Sequence, residues 1–238
     1  MRLNLSTGVD NLALIEERFF ESMDTCAHAV ADSIANDLIS AIDKRGFASL
    51  AVSGGRTPET VFPILAARDD VNWDKVRVTL TDERWVPPDH PDSNEKLVRT
   101  YLFKGNVTAA SFVGMKTPDD TSEGGLDACQ ENIRRLPMPL DTVYLGMGPD
   151  GHIASLFPGS KALSQVSGLC AATVSADGRF RMSLSPEALL SARHLILMIS
   201  GVEKRTVYEA AKSPGSITDI PVRLLLQQSR VSITVFMS

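Results

Sequence analysis

Apolar and polar positions follow two rhythms along the chain, one typical of helices and one of strands. From residue 27 to residue 43, Val30, Ile34, Leu38 and Ile42 recur at helical spacing and would share one face. Short apolar runs that end in glycine or polar clusters predict strands instead. The predicted strands are residues 47–52, 76–80, 111–115, 142–145, 180–184, 195–199 and 231–236. The predicted helices are residues 27–43, 57–67, 93–102, 125–136, 186–190, 202–211 and 221–227.

The order of these elements predicts an α/β fold. Strands that alternate with helices form a largely parallel sheet, and the connecting helices cover both of its faces. The chain has no internal repeat, low-complexity tract or long linker, so we expect one domain over residues 1–238. In such sheets, ligands bind beyond the carboxyl ends of the strands. The residues that follow each predicted strand are therefore the candidates for function.

Composition limits the class of protein. The chain has 238 residues, of which 43% are hydrophobic, and it lacks the apolar stretch of about 18 residues that a membrane span needs. Residues 1–6 do not begin an apolar leader, and Cys26, Cys129 and Cys170 lie far apart without metal-ligand spacing. We expect a soluble, cytoplasmic protein with reduced thiols and no metal. The net charge of −5 argues against a nucleic-acid partner.

The loop after the strand at 47–52 combines adaptable backbone with positive charge. Two glycines permit a sharp turn and the close approach of a ligand, and a helix N-terminus follows. We expect Thr57 to be the N-cap and Pro58 the first helical residue. The guanidinium of Arg56 suits phosphate oxygens. Phosphate binding and a simple capped turn both remain open here. The candidate binding residues are Ser53, Gly54, Gly55, Arg56 and Thr57.

The loop after the strand at 76–80 is densely charged. Adjacent acids and an arginine can hold sugar hydroxyls or support a catalytic group, and a cluster of caps and ion pairs is the alternative. Asp92 or Ser93 would cap the next helix. His90 lies in a proline-rich loop and is expected to be solvated rather than catalytic. The candidate binding residues are Asp82, Glu83 and Arg84.

The loop after the strand at 142–145 contains the best candidate for catalysis. Gly146, Gly148 and Gly151 indicate unusual backbone geometry around Asp150 and His152. An imidazole titrates near neutral pH and can accept a proton from water. The carboxylate two residues earlier can orient the ring and stabilise its charged form, as in a catalytic triad with water in place of serine.

These three loops together resemble the 6-phosphogluconolactonases, which share a superfamily with the glucosamine-6-phosphate deaminases. The matching segments are residues 53–58, 82–87, 92–94, 148–158, 181–185 and 201–204. The resemblance covers nearly the whole chain and implies a Rossmann-like α/β fold. It also implies hydrolysis of 6-phosphoglucono-1,5-lactone in the pentose phosphate pathway, without cofactor or metal. By motif position it implies His152 as general base, Asp150 as its support, and phosphate contacts from the loop at 54–56, Arg181 and Lys204.

Three positions depart from the lactonase pattern. Ile153 stands where the lactonases usually carry threonine, and the lysine that often precedes Arg181 is missing, so Arg179 is expected to substitute for it. The chain also lacks the usual acidic turn over residues 231–238. Ile153 by itself favours the deaminases. Phe157, however, occupies the position of the glutamate that serves their ring-opening chemistry, and it cannot titrate.

Lactone hydrolysis needs an activated water and donors near the carbonyl oxygen. Arg84 and the backbone amides near Gly148 are the two candidate donors for the oxyanion. A glucosamine-6-phosphate deaminase or isomerase and a non-catalytic sugar-phosphate sensor are the alternatives. A nicotinamide dehydrogenase is disfavoured because no Gly-x-Gly-x-x-Gly follows the first strand. The expected partner is a small phosphosugar lactone, and the sequence leaves monomer and homodimer open.

Overall fold

A computed structural model describes residues 15–165 and 167–238. Residues 1–6, for which no apolar leader is predicted, lie outside this part of the chain. The strands are β1 (Ile15–Phe19), β2 (Ala48–Val52), β3 (Val76–Leu80), β4 (Asp82–Arg84), β5 (Ser111–Val113), β6 (Thr142–Gly146), β7 (Cys170–Val174), β8 (Phe180–Leu184), β9 (His194–Ile199) and β10 (Ser232–Met237). The α-helices are α1 (Met23–Arg45), α2 (Arg56–Ala66), α3 (Asn94–Tyr101), α4 (Leu126–Ile133), α5 (Pro186–Leu190), α6 (Val202–Lys212) and α7 (Arg223–Leu226).

Seven strands form a parallel sheet in the order β1-β10-β9-β6-β2-β3-β5. Successive residues of a strand point to opposite faces of the sheet. Every residue of β2 is nevertheless buried, as are all residues of β9 after His194. Both faces of the sheet are therefore covered, which confirms the predicted α/β fold with a mostly parallel sheet.

Local sequence signals define the long helix α1. Ser22 precedes it in an extended conformation, and its side chain accepts a hydrogen bond from the Thr25 amide at 3.2 Å. Gly46 ends the helix in the left-handed conformation, with φ of 80°. The apolar stripe that includes Val30, Ile34 and Leu38 is fully buried. Because α1 contacts β2, β6, β9 and β10, this stripe anchors the helix across the centre of the sheet.

A second, antiparallel sheet contains three strands in the order β4-β8-β7. The predicted strand at 180–184 belongs to this sheet and not to the parallel one. The sequence prediction missed β1, β4 and β7. The missed β4 is three polar or charged residues long, so it carries none of the apolar alternation that identifies a strand.

The fold places two thiols side by side although 41 residues separate them in the sequence. Cys129 on α4 and Cys170 on β7 are both fully buried, with 3.5 Å between their sulfur atoms. Cys26 is also buried, and all three cysteines are free thiols, as predicted.

Strand register brings three loops together at one edge of the parallel sheet. Val52 at the end of β2 lies opposite both Leu80 at the end of β3 and Tyr144 of β6. Gly146 at the end of β6 lies opposite Met198 near the end of β9. The loops that leave β2, β3, β6 and β9 therefore start from the same edge, which is where parallel sheets bind ligands.

Candidate active site

A cavity of about 300 Å³ opens at this edge. The loops after β2 and β6 form most of its wall, and side chains from β4, β8, α3 and α6 complete it. Most of the residues predicted from the sequence as site residues are present in its lining. The lining residues are Ser53, Gly54, Gly55, Arg56, Thr57, Pro58, Asp82, Arg84, Asn94, Gly146, Met147, Gly148, His152, Ala154, Ser155, Phe157, Arg181 and Lys204.

The loop after β2 exposes a row of backbone donors. Helix α2 begins at Arg56, and Gly55, with φ of 101°, is its N-cap. The prediction that Thr57 caps the helix and that Pro58 is its first residue was therefore wrong by two residues. Neither the Gly54 nor the Gly55 amide has an acceptor among residues 15–165 and 167–238. First-turn amides of a helix also lack intrahelical acceptors, and the helix dipole adds positive potential, so this N-terminus suits an anion.

The side chain of Asn94 explains why residue 54 is glycine. A Cβ built on Gly54 would overlap the Asn94 amide group. Asn94 is buried and its Nδ2 donates to the carbonyl oxygen of Asp82 at 2.8 Å. Sequence reasoning matched Asn94 to the family pattern but did not place it in the site.

Four cationic side chains line the cavity. Arg56, Arg84, Arg181 and Lys204 form no ion pair within the part of the chain that the structure describes. Arg84 and Arg181 are directly opposite each other in the antiparallel pair of β4 and β8. Like charges at such positions repel, so the arrangement opposes stability.

The pKa values of two of these cations reflect this crowding. The pKa of the Arg181 guanidinium is lowered mainly by burial and, to a smaller extent, by the positive charge of Arg84. The pKa of the Lys204 ammonium group is lowered mainly by burial and, to a smaller extent, by the positive charge of Arg56. The Arg181 Nε–H is buried and finds no acceptor among the described residues. A bound anion would relieve both the repulsion and this missing hydrogen bond.

Asp150 and His152 form a hydrogen-bonded pair in which His152 lines the cavity and Asp150 lies outside its lining. His152 Nδ1 lies 2.6 Å from Asp150 Oδ1, and the His152 amide donates to the same oxygen at 3.2 Å. Burial opposes ionisation of Asp150, but its hydrogen bonds from His152 and the charge of that ring outweigh burial and lower the pKa of the carboxyl. The Phe157 ring packs against the imidazole with 4.8 Å between centroids. The imidazole is 30% exposed and faces the cavity that holds the cations.

Backbone geometry holds the imidazole in place. The Gly148 amide donates to the His152 carbonyl at 2.9 Å, and the Gly151 amide donates to the Gly148 carbonyl at 3.1 Å. Gly151 has φ of 81°, and a Cβ there would approach Ile220 to 2.6 Å. Because the Gly148 amide is already engaged, it is not free to stabilise an oxyanion. The Gly151 and His152 amides are engaged as well, so Arg84 is the predicted oxyanion donor that we carry forward.

A buried network of hydroxyls surrounds Asp82. Its Oδ2 accepts from Ser155 Oγ at 2.6 Å, and its Oδ1 accepts from Thr81 Oγ1 at 3.3 Å. Ser53 Oγ lies 2.8 Å from the same Thr81 hydroxyl. The network ties the loops after β2, β3 and β6 to one another. Ser155, which sequence reasoning did not single out as a site residue, is one of its anchors.

Two predicted binding residues are elsewhere. Glu83 is 1% exposed and does not line the cavity, so the predicted substrate contact was wrong. Its carboxylate instead accepts hydrogen bonds from the first residues of α3 and its N-cap. Arg179 pairs with Asp92 and Asp177 at 3.1 Å on the surface and lies outside the cavity. It therefore does not substitute for the missing lysine.

The remaining sequence predictions near the site have clear outcomes. His90 is exposed, as expected for a solvated residue. Ser93 caps α3 by accepting from the Lys96 amide at 3.2 Å. Ile153 is fully buried, so its side chain does not reach the cavity.

Within residues 15–165 and 167–238, no group of three His, Cys, Asp or Glu side chains is arranged to hold a metal ion. No helix in the same residues is long and apolar enough to cross a membrane.

The fold and the cavity define an α/β protein with a cavity lined by cations beside a carboxylate–histidine pair. Residues 21–235 match the family described as glucosamine-6-phosphate isomerases/6-phosphogluconolactonase, and the chain belongs to this family. A 6-phosphogluconolactonase from Rhizobium meliloti (strain 1021) is 36% identical over 223 residues, which cover 91% of this chain and 96% of the relative. One from Pseudomonas aeruginosa is 35% identical over 84% of this chain and 87% of its own length.

Solved structures agree with this family assignment. A 6-phosphogluconolactonase from Shewanella baltica OS155 matches with a TM-score of 0.90 and 37% identity, over 95% of this chain and 97% of that one. A structure from Neisseria gonorrhoeae FA 1090, described as a putative 6-phosphogluconolactonase, matches with a TM-score of 0.84 and 33% identity, over 94% and 99% of the two chains. The predicted Rossmann-like architecture is thus confirmed.

Proposed function

We propose that this protein is a carboxylic ester hydrolase that converts 6-phospho-D-glucono-1,5-lactone to 6-phosphogluconate in the oxidative pentose phosphate pathway. The observation that carries the proposal is one cavity lined by His152, which is hydrogen-bonded to Asp150, and by four cations that have no carboxylate partner among the described residues. Relatives named 6-phosphogluconolactonase that align over nearly the whole chain support it. We place the reaction in the cytoplasm and require no cofactor for it.

The phosphate group would bind at the N-terminus of α2. Gly54, Gly55 and Arg56 line the cavity there, and Arg181 and Lys204 supply charge from β8 and α6. Phosphate oxygens accept strong hydrogen bonds from such donors. Fixing the phosphate also fixes the lactone ring, so that water attack becomes nearly unimolecular.

His152 would act as the general base. Its Nδ1 is engaged by Asp150, and its Nε2 has no hydrogen-bond partner among the described residues. Nε2 takes a proton from water as the water oxygen bonds to C1 of the lactone. The tetrahedral intermediate then collapses, the bond from C1 to the ring oxygen breaks, and His152 returns the proton to that oxygen. Asp150 stabilises the imidazolium in between.

Arg84 would stabilise the oxyanion that develops on the C1 oxygen. Its Nη1 donates to the Asp92 carbonyl at 2.8 Å, which fixes the guanidinium at the edge of the cavity and leaves its other hydrogens for a ligand. Preorganised donors of this kind are usually the largest single contribution to acyl-transfer catalysis.

The assay that tests the proposal uses freshly generated 6-phosphogluconolactone, coupled to detection of 6-phosphogluconate and corrected for spontaneous hydrolysis. Glucosamine 6-phosphate is tested in parallel. We expect turnover of the lactone and none of the amino sugar, because the uncharged Phe157 packs on the His152 ring. Turnover of glucosamine 6-phosphate would favour a deaminase, and binding of phosphosugars without turnover would favour a sensor.

Arg181→Ala should raise KM for the lactone about ten- to a hundredfold and change kcat little, because a charged hydrogen bond to the phosphate is lost. The matched control is Arg179→Ala on the same hairpin, whose guanidinium pairs with Asp92 and Asp177 outside the cavity. Steady-state kinetics and calorimetric binding of 6-phosphogluconate give the two measurements. Equal KM values for Arg181→Ala and the unmodified enzyme would exclude Arg181 from phosphate binding.

A further inference from the structure

The buried carboxyl group of Glu83 is an ionisable group that the proposed reaction does not use. Burial raises its pKa to about 7, although the hydrogen bonds that it accepts favour the carboxylate. Its two oxygens accept four hydrogen bonds. Oε1 accepts from the amides of Arg84 at 2.8 Å and Asn94 at 2.7 Å. Oε2 accepts from the Glu95 amide at 2.8 Å and from Ser93 Oγ at 3.0 Å. Every donor is aimed at a carboxylate, and three of the four belong to the start of α3.

The first turn of α3 contacts the loop that is proposed to bind phosphate. Asn94, whose amide N–H is held by Glu83, is the residue whose side chain packs against Gly54. The Asn94 side chain is itself fixed, because Nδ2 donates to the carbonyl oxygen of Asp82. The packing is so close that a Cβ on Gly54 would overlap the Asn94 amide. The position of Asn94 therefore limits where the Gly54 loop can lie.

We propose that Glu83 is a positioning residue for the phosphate site: its carboxylate fixes the first turn of α3, and Asn94 in that turn fixes the Gly54 loop. This inference rests on the proposed function, since it assigns the substrate's phosphate to that loop. A glutamine cannot replace the carboxylate there. Its NH₂ group would face either the Glu95 amide or the Arg84 and Asn94 amides, and two donors cannot bond to each other.

Glu83→Gln should raise KM for 6-phosphogluconolactone and weaken binding of 6-phosphogluconate, each about tenfold, the loss expected for one buried charged hydrogen bond. We expect kcat to fall much less than KM rises, because the Asp150–His152 pair lies on a different loop. Some fall in kcat is expected, since Glu83 also holds the amide of Arg84, the proposed oxyanion donor. Glu95→Gln is the matched control. Its side chain pairs with Arg99 at 2.8 Å and does not line the cavity, and its backbone amide would still reach Glu83. It should behave like the unmodified enzyme.

A second variant tests the same link without disturbing the helix start. Asn94→Ala keeps the backbone amide that donates to Glu83 but removes the side chain that packs on Gly54. It should raise KM to a similar degree, and the double variant Glu83→Gln/Asn94→Ala should be no worse than the more affected single variant, because both act through one contact.

The outcomes separate this inference from the proposed function. Lactone turnover by the unmodified enzyme tests the function, and the two variants test the inference through 6-phosphogluconate binding, which needs no turnover. Unchanged KM and product binding in Asn94→Ala would overturn the inference even if Glu83→Gln failed to fold. A fall in kcat that matches the rise in KM, or an equal effect of Glu95→Gln, would also overturn it, since either indicates general loosening of the fold.

Discussion

His152→Ala is expected to lower kcat for 6-phosphogluconolactone about a hundred- to ten-thousand-fold, the usual contribution of a general base. KM should change little, because the cations proposed to hold the phosphate are untouched. Asp150→Asn should lower kcat in the same direction, since the ring loses the carboxylate 2.6 Å from Nδ1 that orients it and stabilises its charged form. Steady-state rates, corrected for the spontaneous reaction of the lactone, give the measurement.

The control for this prediction is binding of 6-phosphogluconate at the proposed phosphate site. His152→Ala should bind 6-phosphogluconate with nearly unchanged affinity, which shows that the cavity is intact when turnover is lost. If His152→Ala retained near-normal kcat, the imidazole would not be the base and the proposed mechanism would be wrong.

Gly148→Ala should lower kcat about a hundredfold, because a methyl group there displaces the catalytic ring. A Cβ on Gly148 would overlap Nδ1 and Cε1 of His152 and lie 2.7 Å from Asp150 Oδ1. Both members of the pair would have to move, and a displacement of about 1 Å at a reacting group can cost this much in rate. The backbone conformation of Gly148 is accessible to alanine, so we expect the fold to persist, as checked by circular dichroism and thermal unfolding.

The double variant Gly148→Ala/His152→Ala tests whether the methyl group lowers kcat only by displacing the imidazole. If Gly148 acts only through the imidazole, the double variant should be as slow as His152→Ala and no slower, because effects through a shared group are not additive. A further large fall in kcat would show that Gly148 contributes in another way. Normal kcat in Gly148→Ala would mean that the ring position in the structure is not the one used in catalysis.

The order of elements could be predicted from the sequence because buried parallel strands are nearly continuous apolar runs. β2, β3, β6, β9 and β10 all have this signal. The short polar β4 does not, so the antiparallel sheet was missed. The position of the site was predictable for a similar reason, since charged residues and glycines cluster directly after the ends of β2, β3 and β6.

Individual side-chain roles were harder to predict, because neighbouring residues of a strand face opposite sides. Asp82 and Glu83 look equivalent in the sequence, yet Asp82 lines the cavity and Glu83 holds α3 beneath it. Arg179 posed a different difficulty: it precedes β8 and pairs with surface carboxylates, so only Arg181 lines the cavity. Asn94 was missed as a site residue because its importance lies in a contact with Gly54, 40 positions earlier, which no local pattern reports.

A crystal structure with bound 6-phosphogluconate would show whether one cavity holds both the phosphate and the reacting carbon. The proposed mechanism places the phosphate on the amides of Gly54 and Gly55, with Arg181 in contact. It places the C1 carboxylate within about 3.5 Å of His152 Nε2, the separation of reacting groups that are ready for attack. A phosphate bound away from this loop, or a C1 carboxylate that lies against another wall of the cavity out of reach of His152, would contradict it.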